Sequence, residues 1–199
     1  MGRHLDDGAE ALRRVLRTRF RVHSADRSLN TRIGCTATVL AMPLDAELLL
    51  LEFGANKAGE IAELSELFPP TTAMVTQVAP VHLEGFRSVE GVLRAKMEIT
   101  GSGRLRRFLC NFDNPLLRGA ASGLSGPSVT SVGMEHGADF LIEDPHFVLE
   151  GVLPVLTFRL RGGGDEACVH SGLWGRHLAL PLALAGTGLI TLVRTGGTS

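Results

Sequence analysis

Three short apolar runs separated by two helical patterns, all between Leu48 and Cys110, constrain this chain more than any other feature. The first run, Leu48-Leu49-Leu50-Leu51 within Glu47–Phe53, is continuous rather than alternating. It reads as a strand buried on both faces. Gly54 allows a tight exit, and Gly59–Phe68 follows with apolar residues at helical spacing, Ile61, Leu64 and Phe68. Pro69-Pro70 ends that helix, because proline removes a donor and restricts the residue before it. Ala73–Val78 is a second short apolar strand, followed by a loop over Ala79–Arg87. Ser88 suits the N-cap of a helix over Val89–Ile99, which Gly101-Ser102-Gly103 closes. Phe108–Cys110 is the third strand, and Asn111-Phe112-Asp113-Asn114-Pro115 reads as the turn after it. Strand, helix, strand, helix, strand in such short succession predicts an α/β fold. Its sheet is mostly parallel, flanked by helices and joined by right-handed crossovers.

The rest of the chain fits around that unit. Residues 7–20 place Leu12, Val15, Leu16 and Phe20 at helical spacing, with Arg13, Arg14 and Arg17 on other faces. Arg21–Ser24 reads as a short strand and Asp26–Thr31 as a polar loop. Ile33–Met42 fits strand or helix, with helix favoured over Cys35–Leu40. Val129–Val132 reads as a further strand. From Phe140 to His170 the texture turns to β: Leu156, Phe158 and Leu160 alternate with Thr157, Arg159 and Arg161. Gly162-Gly163-Gly164-Asp165 is a hairpin turn there. A last apolar helix is expected at about His177–Ala185, and a disordered tail over 194–199. The whole of 1–199 reads as a single domain with a β-rich carboxyl-terminal part.

Composition narrows the function classes. The net charge of −1 provides no global attraction to nucleic acid or anionic membranes. Aromatic residues are 5%, with no tyrosine, which disfavours a stacking platform for single strands. Cys35, Cys110 and Cys168 have no ligand-like spacing, and an odd, sparse count fits a reduced compartment. No apolar run is long enough to span a bilayer. The expectation is a cytoplasmic protein without nucleic-acid or membrane partners.

Three polar residues stand in unusual places. In open α/β sheets, ligands bind beyond the carboxyl ends of the strands. Glu52 ends the first central strand, and His82 follows the second by a few residues. Each is either a local cap or loop residue or a ligand for a divalent metal. Lys96 continues the face of Val89, Val92 and Leu93 on the helix that Ser88 starts. A lysine there snorkels past the helix end, pairs, or loses its proton.

Glu52-Phe53-Gly54-Ala55-Asn56-Lys57-Ala58-Gly59-Glu60-Ile61 resembles the E-(L/F)-G-A-N-x-x-G-E-I signature of the Mur ligases. His82-Leu83-Glu84-Gly85-Phe86-Arg87-Ser88, with Val92 and Ala95-Lys96-Met97-Glu98-Ile99, resembles that family's A-H-L-E-G-F-G-S…V-x-x-A-K-G-E-I block. Asn111-Phe112-Asp113-Asn114 is similar to its N-x-D-(N/D) turn. Gly175-Arg176-His177 is similar to the G-x-H-N opening the last helix of its central domain. The resemblance runs over roughly residues 8–190. Its closest branch adds D-alanyl-D-alanine to a UDP-muramoyl-tripeptide.

The resemblance implies an ATP-dependent amide ligase of peptidoglycan-precursor synthesis. There ATP phosphorylates a carboxylate, and an amine then attacks the acyl phosphate. It implies Mg2+ and ATP as cofactors and a UDP-muramoyl-peptide as substrate. Glu52 and His82 would ligate magnesium, and Lys96, carbamylated, would bind a second magnesium. His82 and Lys96 would be the catalytic pair. Asn111 and Asp113 would lie near the adenine or ribose, and Leu29-Asn30 would face the UDP-sugar peptide.

The chain also departs from the family pattern. The family's central domain opens with a strand and a G-x-x-G-K-(S/T) phosphate loop. The matching place, Met1-Gly2-Arg3-His4-Leu5-Asp6, has no second glycine, no lysine and no hydroxyl residue. Gln77 replaces an Asn, Lys57 a frequent His, Leu178 the Asn after Gly-Arg-His, and Ser28 the first Asn of an N-L-N loop. The expected fold is therefore P-loop-NTPase-like without its first strand and loop. The closing carboxyl-terminal domain and the UDP-binding amino-terminal domain are expected to be missing too. Three readings follow: a ligase central domain inactive alone, a non-catalytic binding or regulatory module, or one subunit of a split ligase. The partner would be a complete Mur ligase or a chain supplying the missing parts. Loss of the first strand also predicts an exposed sheet edge near Leu48–Phe53, with marginal stability or association through it.

Overall fold

The computed structural model describes residues 7–25, 29–81, 83–172 and 175–196. Its strands are β1 (Val22–Ser24), β2 (Leu48–Leu50), β3 (Thr72–Val75), β4 (Arg107–Asn111), β5 (Ser128–Gly133), β6 (Phe140–Glu150), β7 (Leu153–Gly162) and β8 (Asp165–Ser171). Its α-helices are α1 (Asp7–Arg17), α2 (Arg32–Leu40), α3 (Glu60–Leu67), α4 (Leu83–Phe86), α5 (Val89–Met97), α6 (Pro115–Ser122) and α7 (Ala179–Gly196). β3 to β8 form one sheet in chain order. β3, β4, β5 and β6 run parallel, then β6, β7 and β8 form an antiparallel meander. This is the α/β architecture with a β-rich carboxyl-terminal part that the sequence predicts.

The continuous apolar run in β4 has a direct explanation, since successive strand residues face opposite sides of the sheet. Phe108 and Cys110 enter a core with Ala73 and Val75 under α5 and α6, where Val92, Ala95, Leu117 and Ala121 close it. Leu109 enters the other core, with Val132, Ile142, Leu156, Phe158 and Leu160. Ala11 of α1 and Leu182, Ala183 and Leu184 of α7 cover that side. α7 is apolar around most of its circumference because it lies between the sheet and α1: Ala179, Ala183, Leu184, Ala185 and Thr187 are fully buried.

Several expectations need correction. β2 is not buried on both faces. Among the described residues it pairs only with β1, in a separate two-stranded parallel sheet, and Leu49 is 38% exposed. Continuous apolarity alone cannot specify a buried strand; a neighbour on each side and a cover on each face are also required. The loop assigned to 79–87 contains α4, held against the Asn56 backbone through Gly85, where a Cβ would overlap the Asn56 carbonyl oxygen. The turn at 111–115 runs straight into α6. The Asn114 side chain accepts from the Leu117 amide at 3.1 Å and Pro115 occupies the first turn, a standard helix start. The Ser88 helix begins as expected, with the Ser88 hydroxyl accepting from the Gly91 amide at 3.1 Å, but tightens to a 3₁₀ turn over Glu98–Gly101. α7 extends to Gly196, so Arg194–Gly196 are helical rather than tail. Residues 26–28, part of the predicted polar loop, lie outside the described residues.

Candidate active site

Glu52 stands just past β2, and the chain around it is pinned. The Gly54 amide donates to the Asn30 carbonyl at 2.9 Å, and the Asn30 carboxamide nitrogen donates to Glu52 Oε1 at 3.3 Å. A Cβ on Gly54 would meet the Asn30 carboxamide at 2.6 Å, so this close approach needs glycine. Asn30, expected on the substrate side, thus orients the expected metal ligand. Its neighbour Leu29 is 47% exposed.

The segment from Asn56 to the start of α3 is held by two carboxylates. Glu60 Oε2 accepts from the amides of Asn56 and Lys57, at 2.7 and 3.3 Å. Glu98, from the turn after α5, accepts from the Gly59 amide at 2.8 Å and the Ala62 amide at 3.0 Å. Gly59, the N-cap of α3, has no side chain to do this. Glu98 satisfies two orphan donors of that helix end from a different element. Sequence reading quoted both glutamates within motifs and gave them no role. Nothing in a linear pattern shows that residue 98 returns to residue 59.

Lys96 lies two residues earlier, in the last turn of α5. Burial pushes its amine below the ordinary lysine pKa, and the Glu52 carboxylate opposes that shift. His82 lies outside the described residues. Among the described residues no group of three or more His, Cys, Asp or Glu side chains is gathered as a metal-ligand set.

Asn111 and Asp113 form a second cluster at the carboxyl end of β4. Asn111 is 5% exposed; its Oδ1 accepts from the Asp113 amide at 2.9 Å, and its nitrogen reaches Gln77 Oε1 at 3.4 Å. Gln77 Oε1 also accepts from the Asn114 carboxamide at 3.0 Å. Gln77, noted in the sequence only as a replacement for Asn, is the junction of this network. The Asp113 carboxylate accepts from the Met134 and Glu135 amides, each at 2.9 Å, and ties β4 to the turn after β5. Phe112 carries the Arg118 guanidinium 4.8 Å from its ring centroid, and Arg118 pairs with Glu135 at 2.8 Å.

Both clusters lie at carboxyl ends of parallel strands, where ligands enter α/β folds. Among the described residues no helix is long and apolar enough to cross a membrane.

Residues 8–187 match the family described as the Mur ligase middle domain. The UDP-N-acetylmuramoyl-tripeptide–D-alanyl-D-alanine ligase of Bacillus subtilis is 34% identical over 146 residues, covering 69% of this chain and 31% of that protein. The Escherichia coli ligase of the same name is 43% identical over 72 residues, 36% of this chain and 16% of its own length. The chain therefore spans about a third or less of the curated relatives it matches. Among solved structures, the MurF ligase of Thermotoga maritima in complex with ADP superposes with a TM-score of 0.79 at 26% identity. That match covers 97% of this chain and 43% of the other. A MurF from Acinetobacter baumannii, 20% identical, shares the fold with a TM-score of 0.78 over 94% of this chain and 40% of its own. With a family match over residues 8–187, nearly the whole of its 199 residues, the chain belongs to the Mur ligase middle-domain family.

Proposed function

We propose that this chain is the central portion of an ATP-dependent amide ligase of peptidoglycan-precursor assembly, of the type that adds D-alanyl-D-alanine to a UDP-muramoyl-tripeptide. We propose further that it does not ligate alone. The observation that carries the reading is the family match over residues 8–187. Two features agree with it: a Glu52 carboxylate held by Asn30 just past β2, and a desolvated Lys96 amine on which that carboxylate acts electrostatically.

The donor set decides how a metal would fit. With Lys96 as an ammonium, one carboxylate beside a cation is a poor magnesium site. Desolvation favours the neutral amine, whose nitrogen can add to carbon dioxide and release a proton. The product is a carbamate, and the site then holds two carboxylate groups. Glu52, His82 and carbamylated Lys96 would hold Mg2+. With bound ATP, Mg2+ would supply charge neutralisation at the phosphoryl group. Asn111 and Asp113 act in this reading as a scaffold under the nucleotide, and Leu29 faces the UDP-sugar peptide. Asn30 is a positioning residue for Glu52.

The sheet edges support a need for a further segment. β2 and β3 each lack a strand neighbour on one side among the described residues. A parallel strand carrying a G-x-x-G-K-(S/T) loop, from another chain or segment, would place backbone donors beside Glu52 and Lys96. The same incompleteness favours the alternative of a non-catalytic binding module, and the experiment separates the two. The purified chain is incubated with ATP, Mg2+, UDP-muramoyl-tripeptide and D-alanyl-D-alanine, and the product is read by mass spectrometry. The expected result is no product alone, and product when the chain is co-purified with the complementary segments of a complete ligase. Product from the chain alone overturns the claim of incompleteness. No product with the complementing segments overturns the ligase reading in favour of the module.

A further inference from the structure

The amino-terminal edge of the parallel sheet, opposite both clusters above, holds a cavity of about 540 Å3 that the ligase reading does not use. Thr71, Arg104, Arg106 and Ser128 line it, with Gly103 and Gly126, and no carboxylate is among its walls. We propose that this cavity is a binding site for a phosphate-bearing anion, gripped by the guanidinium groups of Arg104 and Arg106 and by the Thr71 hydroxyl.

The backbone beneath the cavity is cross-linked by hydrogen bonds. The Thr71 carbonyl accepts from the amides of Arg106 and Arg107, at 2.9 and 3.2 Å. The Arg106 carbonyl accepts from the Ser128 amide at 2.9 Å and from its hydroxyl at 3.2 Å. Arg106 is thereby fastened to the start of β3 on one side and of β5 on the other. The Arg104 amide is held by the Ser102 hydroxyl at 3.3 Å. Two exposed arginines lining one opening offer guanidinium forks suited to bidentate recognition of phosphate oxygens. Several arginines of the molecule meet carboxylates: Arg32 pairs with Glu63, Arg118 with Glu135 and Arg161 with Glu143. Arg104, Arg106 and the Thr71 hydroxyl have no such partner among the described residues. The two glycines leave the space open. An added Cβ at either would meet nothing within 4 Å, and Gly126 has φ 116°, a conformation that keeps side chains out.

This inference stands apart from the proposed ligase function. Its test uses pyrophosphate as probe, at constant ionic strength, followed by amide chemical shifts of the intact chain. The expectation is saturable shifts at Thr71, Arg104, Arg106 and Ser128. Arg104→Gln with Arg106→Gln should weaken this response by about tenfold or more while leaving the far-ultraviolet dichroism and the shifts of residues 111–114 unchanged. Arg106→Lys should retain part of it, since the charge stays and the fork is lost. A parallel titration with ADP tells a nucleotide from a small inorganic anion. Shifts at the same amides with either ligand support the site. No shift at these amides up to about 10 mM of either ligand overturns it, as do shifts that the double glutamine variant leaves unchanged.

Discussion

Glu98→Ala tests the physical logic of the candidate site most directly. Glu98 does from 39 positions away what an N-cap side chain does locally, accepting from Gly59 and from Ala62 in the first turn of α3. Loss of a side-chain cap costs about 0.5–2 kcal/mol. A hydrogen bond to a charged group contributes about 1.5–3 kcal/mol when buried, and a negative charge at a helix start adds about 0.3–1 kcal/mol. The Gly59 amide is exposed, so water replaces that bond at little cost. The Ala62 amide is partly buried and is not so easily compensated. The expected loss is therefore about 2 kcal/mol, a fall in Tm of roughly 4–8 °C at this chain length. Glu98→Gln keeps one acceptor and loses the charge, so it should lose about half as much. Urea titration of the three proteins measures this, and amide exchange at Gly59 and Ala62 localises it. If Glu98→Ala stays within about 0.5 kcal/mol of the parent protein, Glu98 does not brace α3.

The folded pKa of Lys96 is lowered, so between that value and 10.5 the unfolded chain binds more protons and stability rises with pH; Lys96→Met should raise stability at pH 7 and remove that component of the slope, read by urea titration at both ends of the window. Burial, helped by Asp139, pushes the Cys110 thiol up to about 11, so stability should fall as pH rises from 9 towards 11. Only the exposed Cys168 should react quickly with a thiol reagent in the native protein, Cys35 and Cys110 following on unfolding. Arg87 sits at φ 66°, where the family pattern has glycine, so Arg87→Gly should gain up to about 1 kcal/mol by thermal melting. Gly85→Ala should cost about 2 kcal/mol or more, because the Asn56 carbonyl it would overlap is backbone and cannot swing aside.

The parallel unit was legible because its strands and helices are short, apolar and punctuated by Ser88, Pro69-Pro70 and the Gly101–Gly103 run. The meander was legible from the alternation at Leu156, Phe158 and Leu160 and the glycine turn after them. β2 misled because Leu48–Leu51 has the composition of a central strand, while its pairing depends on what lies beside it. α4 was hidden because four residues are too few to show a helical period. Lys96 and Glu52 could be singled out as polar residues in apolar positions. Glu98 and Gln77 could not, because their roles are contacts made 34 to 39 positions away along the chain.

The place of α7 bears on how the chain is made. Leu109, Val132, Leu156 and Phe158 have no cover on their face of the sheet until residues 179–196 have been synthesised. α1, which leaves the ribosome long before α7, must wait for the same helix, since Ala11 is buried in that core. Closing a loop between residues 7–17 and 179–196 is slow compared with forming the strands between them. The half-finished molecule is thus a preformed sheet with one oily side. During that interval a chaperone, or a neighbouring nascent chain, competes with α7 for the surface.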